Sequence, residues 1–273
     1  MKKWLKRIGL GLLGLTVLVV TTIYIGGEII INRTYEPEAQ NLLTSSRPDV
    51  ISEGERLAKI YGCSEGCHGK DMEGQVFFEQ AFLAKIIAPN LTRAVEQYST
   101  AELEAIVRQG IKPDGKSVLG MPSASFSYLT DNDLSSILAF ISSSPKINHD
   151  PGESSFGLLA RLGLLTGQYR PGAKEVESIQ AGVNTSSSAG MGKGEYLAIT
   201  ACSECHGLQL EGDFGPNLAI AKAYDLEAFT ALMRDGKSVG GNELDLMVLV
   251  SQKRFIHLTD HEIEALHGFL QSR

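Results

Sequence analysis

Cys202-Ser-Glu-Cys205-His206 and Cys63-Ser-Glu-Gly-Cys67-His68 together use all four cysteines of this 273-residue chain, and in each a histidine directly follows the second thiol. The flanks of the two segments match as well. Gly54-Glu-Arg-Leu-Ala leads into one and Gly194-Glu-Tyr-Leu-Ala into the other. Beyond the histidines come Gly69-Lys-Asp-Met-Glu-Gly74 and Gly207-Leu-Gln-Leu-Glu-Gly212, then Pro89-Asn90-Leu91 and Pro216-Asn217-Leu218. Later, Ala105-Ile-Val-Arg-Gln-Gly110 is echoed by Ala231-Leu-Met-Arg-Asp-Gly236, and Leu129-Thr130-Asp131 by Leu258-Thr259-Asp260. Such self-similarity marks a duplicated unit. The first copy is the longer between His and Pro, with His68 and Pro89 further apart in sequence than His206 and Pro216.

Two thiols beside an imidazole form the pattern for covalent attachment of a c-type haem. The sulfurs bond to the porphyrin and the histidine becomes an axial iron ligand. The second segment has the full C-x-x-C-H spacing. The first carries one extra residue, and Gly66 is expected to let the backbone bulge there, since glycine tolerates turns that other residues cannot. Whether Cys63 forms its thioether stays open at this level. Two other readings compete. A disulfide pair would suit an exported domain. Zinc fits less well, because each segment offers three ligands and no matching fourth follows nearby.

On these motifs both halves resemble small class I cytochrome c domains, and the whole chain resembles membrane-anchored dihaem cytochromes c. The resemblance covers residues 50–145 and 190–273. It implies an all-α fold in which each domain wraps one of two covalently bound haem c groups, with Cys63, Cys67, His68 serving the first and Cys202, Cys205, His206 the second. It also places the Pro89 and Pro216 segments beside their histidines. In the family the sixth iron position is usually filled by Met, which raises the reduction potential and blocks outside ligands. Gly120-Met121-Pro122, with Phe126 and Leu129 after it, resembles the family's methionine loop. Met247 is the counterpart expected in the second copy, although it precedes Phe255 by more residues than Met121 precedes Phe126, and valine replaces the proline. Met233 is the runner-up, and its match to Val107 in the repeat favours a core role. His257, His261 and His267 are further conceivable ligands. His267 reads as a packed helix residue, and His149 as a linker residue without an evident role.

The N-terminal end reads Met-Lys-Lys-Trp-Leu-Lys-Arg, followed by an uncharged run from Ile8 to Gly27. Its first 18 residues span about 27 Å as a helix, against ~30 Å of bilayer hydrocarbon. Lys2, Lys3, Lys6 and Arg7 precede the run and would stay in the cytoplasm, placing the remainder in the periplasm of a bacterial cell. A cleaved signal peptide is the alternative, but it would have a shorter apolar region and an early small-residue cleavage site. The expected order is anchor 1–30, tether 31–49, first domain 50–145, linker 146–189 and second domain 190–273.

Net charge is −7. Residues 1–33 hold five Lys/Arg and one Glu, so the rest carries 20 basic against 31 acidic groups. That balance argues against nucleic acid and suits redox partners with a basic docking face, including subunits of a respiratory complex.

Capping-box spacing at Ser99-Thr-Ala-Glu102 predicts a helix running to Gln109, and Thr259-Asp-His-Glu262 predicts the last helix. Leu134, Ile137, Leu138 and Ile141 share one helical face behind Thr130. These terminal helices are expected to pack on the first helix of their own domains, near Glu53–Tyr61 in copy one. A short helix is expected around Phe77–Ile87. Phe156–Leu165, apolar within a Ser/Gly/Pro-rich linker, reads as a helix at a domain interface, with membrane contact or a partner subunit as alternatives. Ser186–Ser188 reads as flexible linker. Electron relay is the function that asks only for this constellation. A dihaem peroxidase-like enzyme with one open haem is the rival.

Overall fold

The computed structural model describes residues 2–38, 40–182, 190–241 and 244–273; Ser186–Ser188 lie outside this set. Helix takes 58% and strand 7%, so the all-α expectation holds in the main and fails in one place. Helix α1 (Lys2–Ile31) is exposed along nearly its whole length and is long and apolar enough to cross a membrane.

In the first half, α2 (Pro48–Ile60) starts with Pro at its first turn and Asp49 beside it, which suits the free N–H groups and positive dipole end there. The segment expected to be a helix around Phe77–Ile87 is instead a hairpin of β1 (Gln75–Gln80) and β2 (Ala84–Ala88). Val76, Phe77, Phe78, Ile86 and Ile87 are β-branched or aromatic and suit a pleated surface better than a helix. Helices α3 (Leu91–Gln97) and α4 (Thr100–Glu104) follow, and α4 opens with the Ser99/Glu102 capping box. It continues as a wide π-helical turn, Ala105–Gln109, that ends on Gly110 at φ +67°. After α5 (Ser123–Phe126), α6 (Asp131–Ser143) starts at the Thr130 cap and lies against α2. A Cβ on Gly54 would stand 1.9 Å from the Ser136 carbonyl oxygen, so only glycine permits that crossing.

Residues 146–182 of the linker are more ordered than their composition suggests. Strand β3 (Ser155–Phe156) pairs with β2, α7 (Leu158–Thr166) packs on the end of α1, and α8 (Gly172–Gly182) packs on α5. Phe156–Leu165 thus folds onto the apolar N-terminal helix.

The second half runs through α9 (Lys193–Leu197), a π-helical turn Ala198–Cys202 and α10 (Ser203–His206). A 3-10 turn at Leu218–Ala223, α11 (Leu226–Asp235), α12 (Asp245–Lys253) and α13 (Asp260–Ser272) complete it. The Thr259/Glu262 capping box opens α13, which packs on α9. Here a Cβ on Gly194 would meet the Ala265 carbonyl oxygen at 2.0 Å, the same crossing that Gly54 makes. Left-handed backbone also recurs at matching places: Gly69, Met72 and Gly74 in one half, Gly207, Leu210 and Gly212 in the other.

The halves pack on each other through one continuous core that includes Leu57, Tyr61 and Phe126 from the first and Tyr196, Leu197 and Phe255 from the second. Their polar contacts are paired like those of a two-fold dimer. Arg56 binds Glu262 at 2.7 Å, while Tyr196, at the matching place in the other copy, donates to Asp133, the match of Glu262. Tyr61 and Thr200, each two residues before the first cysteine of its motif, join hydroxyls at 3.2 Å.

Candidate haem-binding sites

Cys63 follows the end of α2, and Cys202 closes the π-helical turn that continues α9. Cys63 N–H bonds the Ala58 carbonyl at 2.7 Å, and Cys67 N–H bonds Gly62 at 2.9 Å. The extra residue of the first motif is absorbed at Glu65, whose φ is +56°, rather than at Gly66. Gly66 has a different task. A Cβ there would come within 2.7 Å of the Gly62 Cα, so the loop closes only with glycine at 66.

None of the four sulfurs is bonded to another. Burial pushes the Cys63 and Cys202 thiols up to about 12, and raises Cys67 and Cys205 as well. These are not activated thiolates of the kind a nucleophilic or redox-sensor cysteine needs.

The two histidines are held identically. Nδ1 of His68 lies 2.8 Å from the Pro89 carbonyl oxygen, and Nδ1 of His206 lies 2.7 Å from that of Pro216. A carbonyl can only accept, so each Nδ1 carries the proton and each neutral ring keeps its lone pair on Nε2. Burial lowers the His68 pKa, with the Pro89 bond acting the other way, which favours the neutral ring. An imidazole fixed in this tautomer by a carbonyl is the usual preparation of a metal-binding histidine. The Pro-Asn-Leu segments that supply those carbonyls are anchored in turn by Leu91 N–H to Met72 O and Leu218 N–H to Leu210 O, each 2.9 Å.

A cleft of about 280 Å³ lies over the second motif. It is lined by Cys202, Cys205, His206, Met233, Met247 and apolar side chains, among them Phe229 and Leu266. That suits a large, flat, mostly apolar group with one polar axis. Gly215 lies against the His206 ring, where a Cβ would stand 2.7 Å from the imidazole. Met233 is buried in the core from α11, while Met247 is half-buried on α12. In the first half Met121 is half-buried beside the core that contains Tyr61, Met72 and Phe126. Met72 is itself core, only 3% exposed.

The other histidines are otherwise engaged. His267 Nε2 lies 2.9 Å from the Tyr224 carbonyl and its ring packs on Phe229. His149 Nδ1 bonds Glu73 O at 2.9 Å. His261 is exposed, and His257 is half-buried, its carbonyl accepting from Arg56.

Sequence reasoning missed Arg254. It is 7% exposed, donates from Nε to the Ile60 carbonyl at 2.7 Å, and pairs through Nη1 with Glu204 inside the second motif. Burial opposes its charge, but Glu204 more than compensates and holds its pKa above the ordinary value; Cys67 and Cys205 are both close enough to contribute. Its Nη2 has no hydrogen-bond partner among the described residues. A buried guanidinium with a spare donor between the two motifs is suited to an acidic group such as a haem propionate. The signal that could have found it was the repeat, where Arg254-Phe255 falls on Ser125-Phe126 and puts a charge in place of a serine.

Residues 49–141 match the family described as cytochrome c oxidase, cbb3-type, subunit III. The alcohol dehydrogenase (quinone) cytochrome c subunit of Gluconacetobacter polyoxogenes is 25% identical over 162 residues, which is 55% of this chain and 34% of that protein. The fructose dehydrogenase cytochrome subunit of Gluconobacter japonicus is 25% identical over 187 residues, 63% of this chain and 37% of that protein. The chain thus spans about a third of the length of these curated relatives. It carries a cytochrome c-type domain, and its relatives are cytochrome c subunits of dehydrogenases. Such a domain implies covalently bound haem c.

Proposed function

We propose that this chain is a membrane-anchored dihaem c-type cytochrome that relays electrons between redox partners on the periplasmic side, alone or as the cytochrome subunit of a dehydrogenase or oxidase complex. Haem, when bound, supplies a one-electron iron couple. The chain's own residues do the rest. Domains 50–145 and 190–273 would hold one group each, through Cys63, Cys67 and His68 and through Cys202, Cys205 and His206, with Met121 and Met247 as the further iron ligands.

The observation that carries this reading is the paired histidine geometry, Nδ1 to Pro89 in one half and to Pro216 in the other, in two halves that share one core. Nothing in that arrangement offers an acid–base pair to a substrate. It holds two imidazoles in the tautomer a metal ligand needs, with both motifs close to one buried cation, Arg254.

Anchoring by α1, with basic residues on one side and the acidic bulk on the other, sets the orientation. Redox titration of the purified full chain under carbon monoxide tests the proposal. Two one-electron steps, neither altered by the gas, are expected. A haem that binds the gas avidly would favour the peroxidase-like alternative.

A further inference from the structure

The linker helix α7 lies at the point where the apolar run of α1 ends. Ile8–Gly27 is uncharged, and the first charge after it, Glu28, is paired with Arg161 of α7 at 2.7 Å. The contact is close. A Cβ on Gly27 would come within 2.7 Å of the Arg161 side chain and 3.3 Å of its Cα, and one on Gly26 would come within 2.7 Å of Leu165. The Arg161 guanidinium also sits over the Tyr24 ring, 5.0 Å from its centre. Tyrosine at that depth suits the boundary between hydrocarbon and headgroups.

Against α1 and the first domain, α7 buries Ala160 and Leu164. Leu159 and Leu162 lie on the outer face, with Leu165 at its edge beside Gly26 of α1, and the three are 53%, 40% and 42% exposed. The face extends onto the β1–β2 hairpin. Phe82 at its turn has φ +63° and is 81% exposed, and its carbonyl accepts from Leu159 N–H at 3.1 Å. Gly157 N–H bonds the neighbouring Leu83 carbonyl at 2.7 Å. Four large apolar side chains are therefore fixed, by backbone bonds and by the glycine contact, beside the exit of a helix able to span a bilayer.

We propose that the outer face of α7 and the Phe82 turn rest in the headgroup–acyl boundary of the bilayer that α1 crosses. A nine-residue helix would bind lipid weakly by itself, but here α1 delivers it to the surface. The tether is strapped down too: Tyr35 N–H bonds Gly115 O at 2.8 Å and Glu38 N–H bonds Gln109 Oε1 at 2.9 Å. With both attachments the first domain holds one orientation to the membrane instead of swinging on residues 31–49. The inference rests on α1 being the anchor, and its test separates the two.

The full chain is reconstituted in bilayer nanodiscs of phosphatidylcholine and phosphatidylglycerol containing a phosphatidylcholine with an acyl-chain diazirine. After irradiation, lipid adducts are mapped by peptide mass spectrometry, with α13 as the water-facing background. Adducts are expected in residues 8–27 and, several-fold above background, on Leu159, Leu162, Leu165 and Phe82. Adducts confined to residues 8–27 would overturn the inference while leaving the anchor intact, and would point to water or a protein subunit on that face. Residues 8–27 at background would overturn both.

Discussion

The hydroxyls of Tyr61 and Thr200 meet at 3.2 Å, each two residues before the first cysteine of its own motif. This contact, with the Arg56–Glu262 and Tyr196–Asp133 bonds on either side, sets the two attachment segments back to back. The approximate two-fold relation is broken where Ser125 matches Arg254. Ser125 bonds Ser203 of the other half at 2.7 Å, whereas Arg254 reaches Ile60 and Glu204.

Arg254→Met should therefore do two things. It strands Glu204 and the Ile60 carbonyl, at a cost of about 3–5 kcal/mol as for other broken buried ion pairs. It also removes a positive charge beside both motifs, which favours the more positive ferric state and lowers both midpoint potentials, by ~60 mV for each ~1.4 kcal/mol of lost electrostatic support in a one-electron couple. Arg254→Met/Glu204→Gln, which removes the opposite charge as well, should recover stability and bring the potentials back toward those of the unaltered chain. Thermal melting and a redox titration check the two parts separately.

Glu262 provides a pH signature. Burial would raise its pKa, but Arg56, the Thr259 N–H and Lys193 together hold it down at about 2, against 4.5 for the free group. A depressed folded-state value means stability that is complete above pH 4.5 and is lost as pH falls toward 2, on the order of 3 kcal/mol in total. Glu262→Gln should cost about that much at pH 7 and only about 1 kcal/mol at pH 2.5, read from denaturant midpoints across pH.

Gly54→Ala and Gly194→Ala test the duplicated helix crossing. Both new methyl groups would press on a backbone carbonyl that cannot rotate away, so each should cost at least ~3 kcal/mol, at the upper end of overpacking penalties. Alanine at Gly268, with nothing within 4 Å of its Cβ position, should cost little. Thermal denaturation of the three variants gives the comparison.

The methionines can be told apart by what their removal opens. Met121→Ala and Met247→Ala should each leave one iron accessible to carbon monoxide, with the lower potential expected when thioether ligation is lost. Met233→Ala should leave gas binding unchanged and cost about 2–5 kcal/mol as a core truncation. Difference spectra of the reduced protein, paired with melting curves, read both effects.

Much of this was legible in local patterns. The Ser99/Glu102 and Thr259/Glu262 boxes mark their helices because capping is a contact between residues three apart, and the cysteine–histidine segments mark the candidate sites in contiguous sequence. Phe77–Ile87 was misread because a short apolar run carries no periodicity long enough to separate strand from helix, and its pairing partner β3 lies far along the chain. Tyr61, Thr200 and Arg254 were silent for another reason. Their partners belong to the opposite half, and no local spacing announces a contact made by packing two copies together. The seat of α7 on α1 was hidden in the same way, since Gly26 and Gly27 look like ordinary small residues of an apolar span.

The most direct measurement is the intact mass of the full chain purified from a host able to attach haem, combined with the visible spectrum of the denatured protein. The account predicts a mass excess of two haem groups that survives denaturation, divided on digestion between peptides containing Cys63–His68 and Cys202–His206. A single haem confined to one motif, or an unmodified colourless chain with its cysteines paired as disulfides, would contradict it.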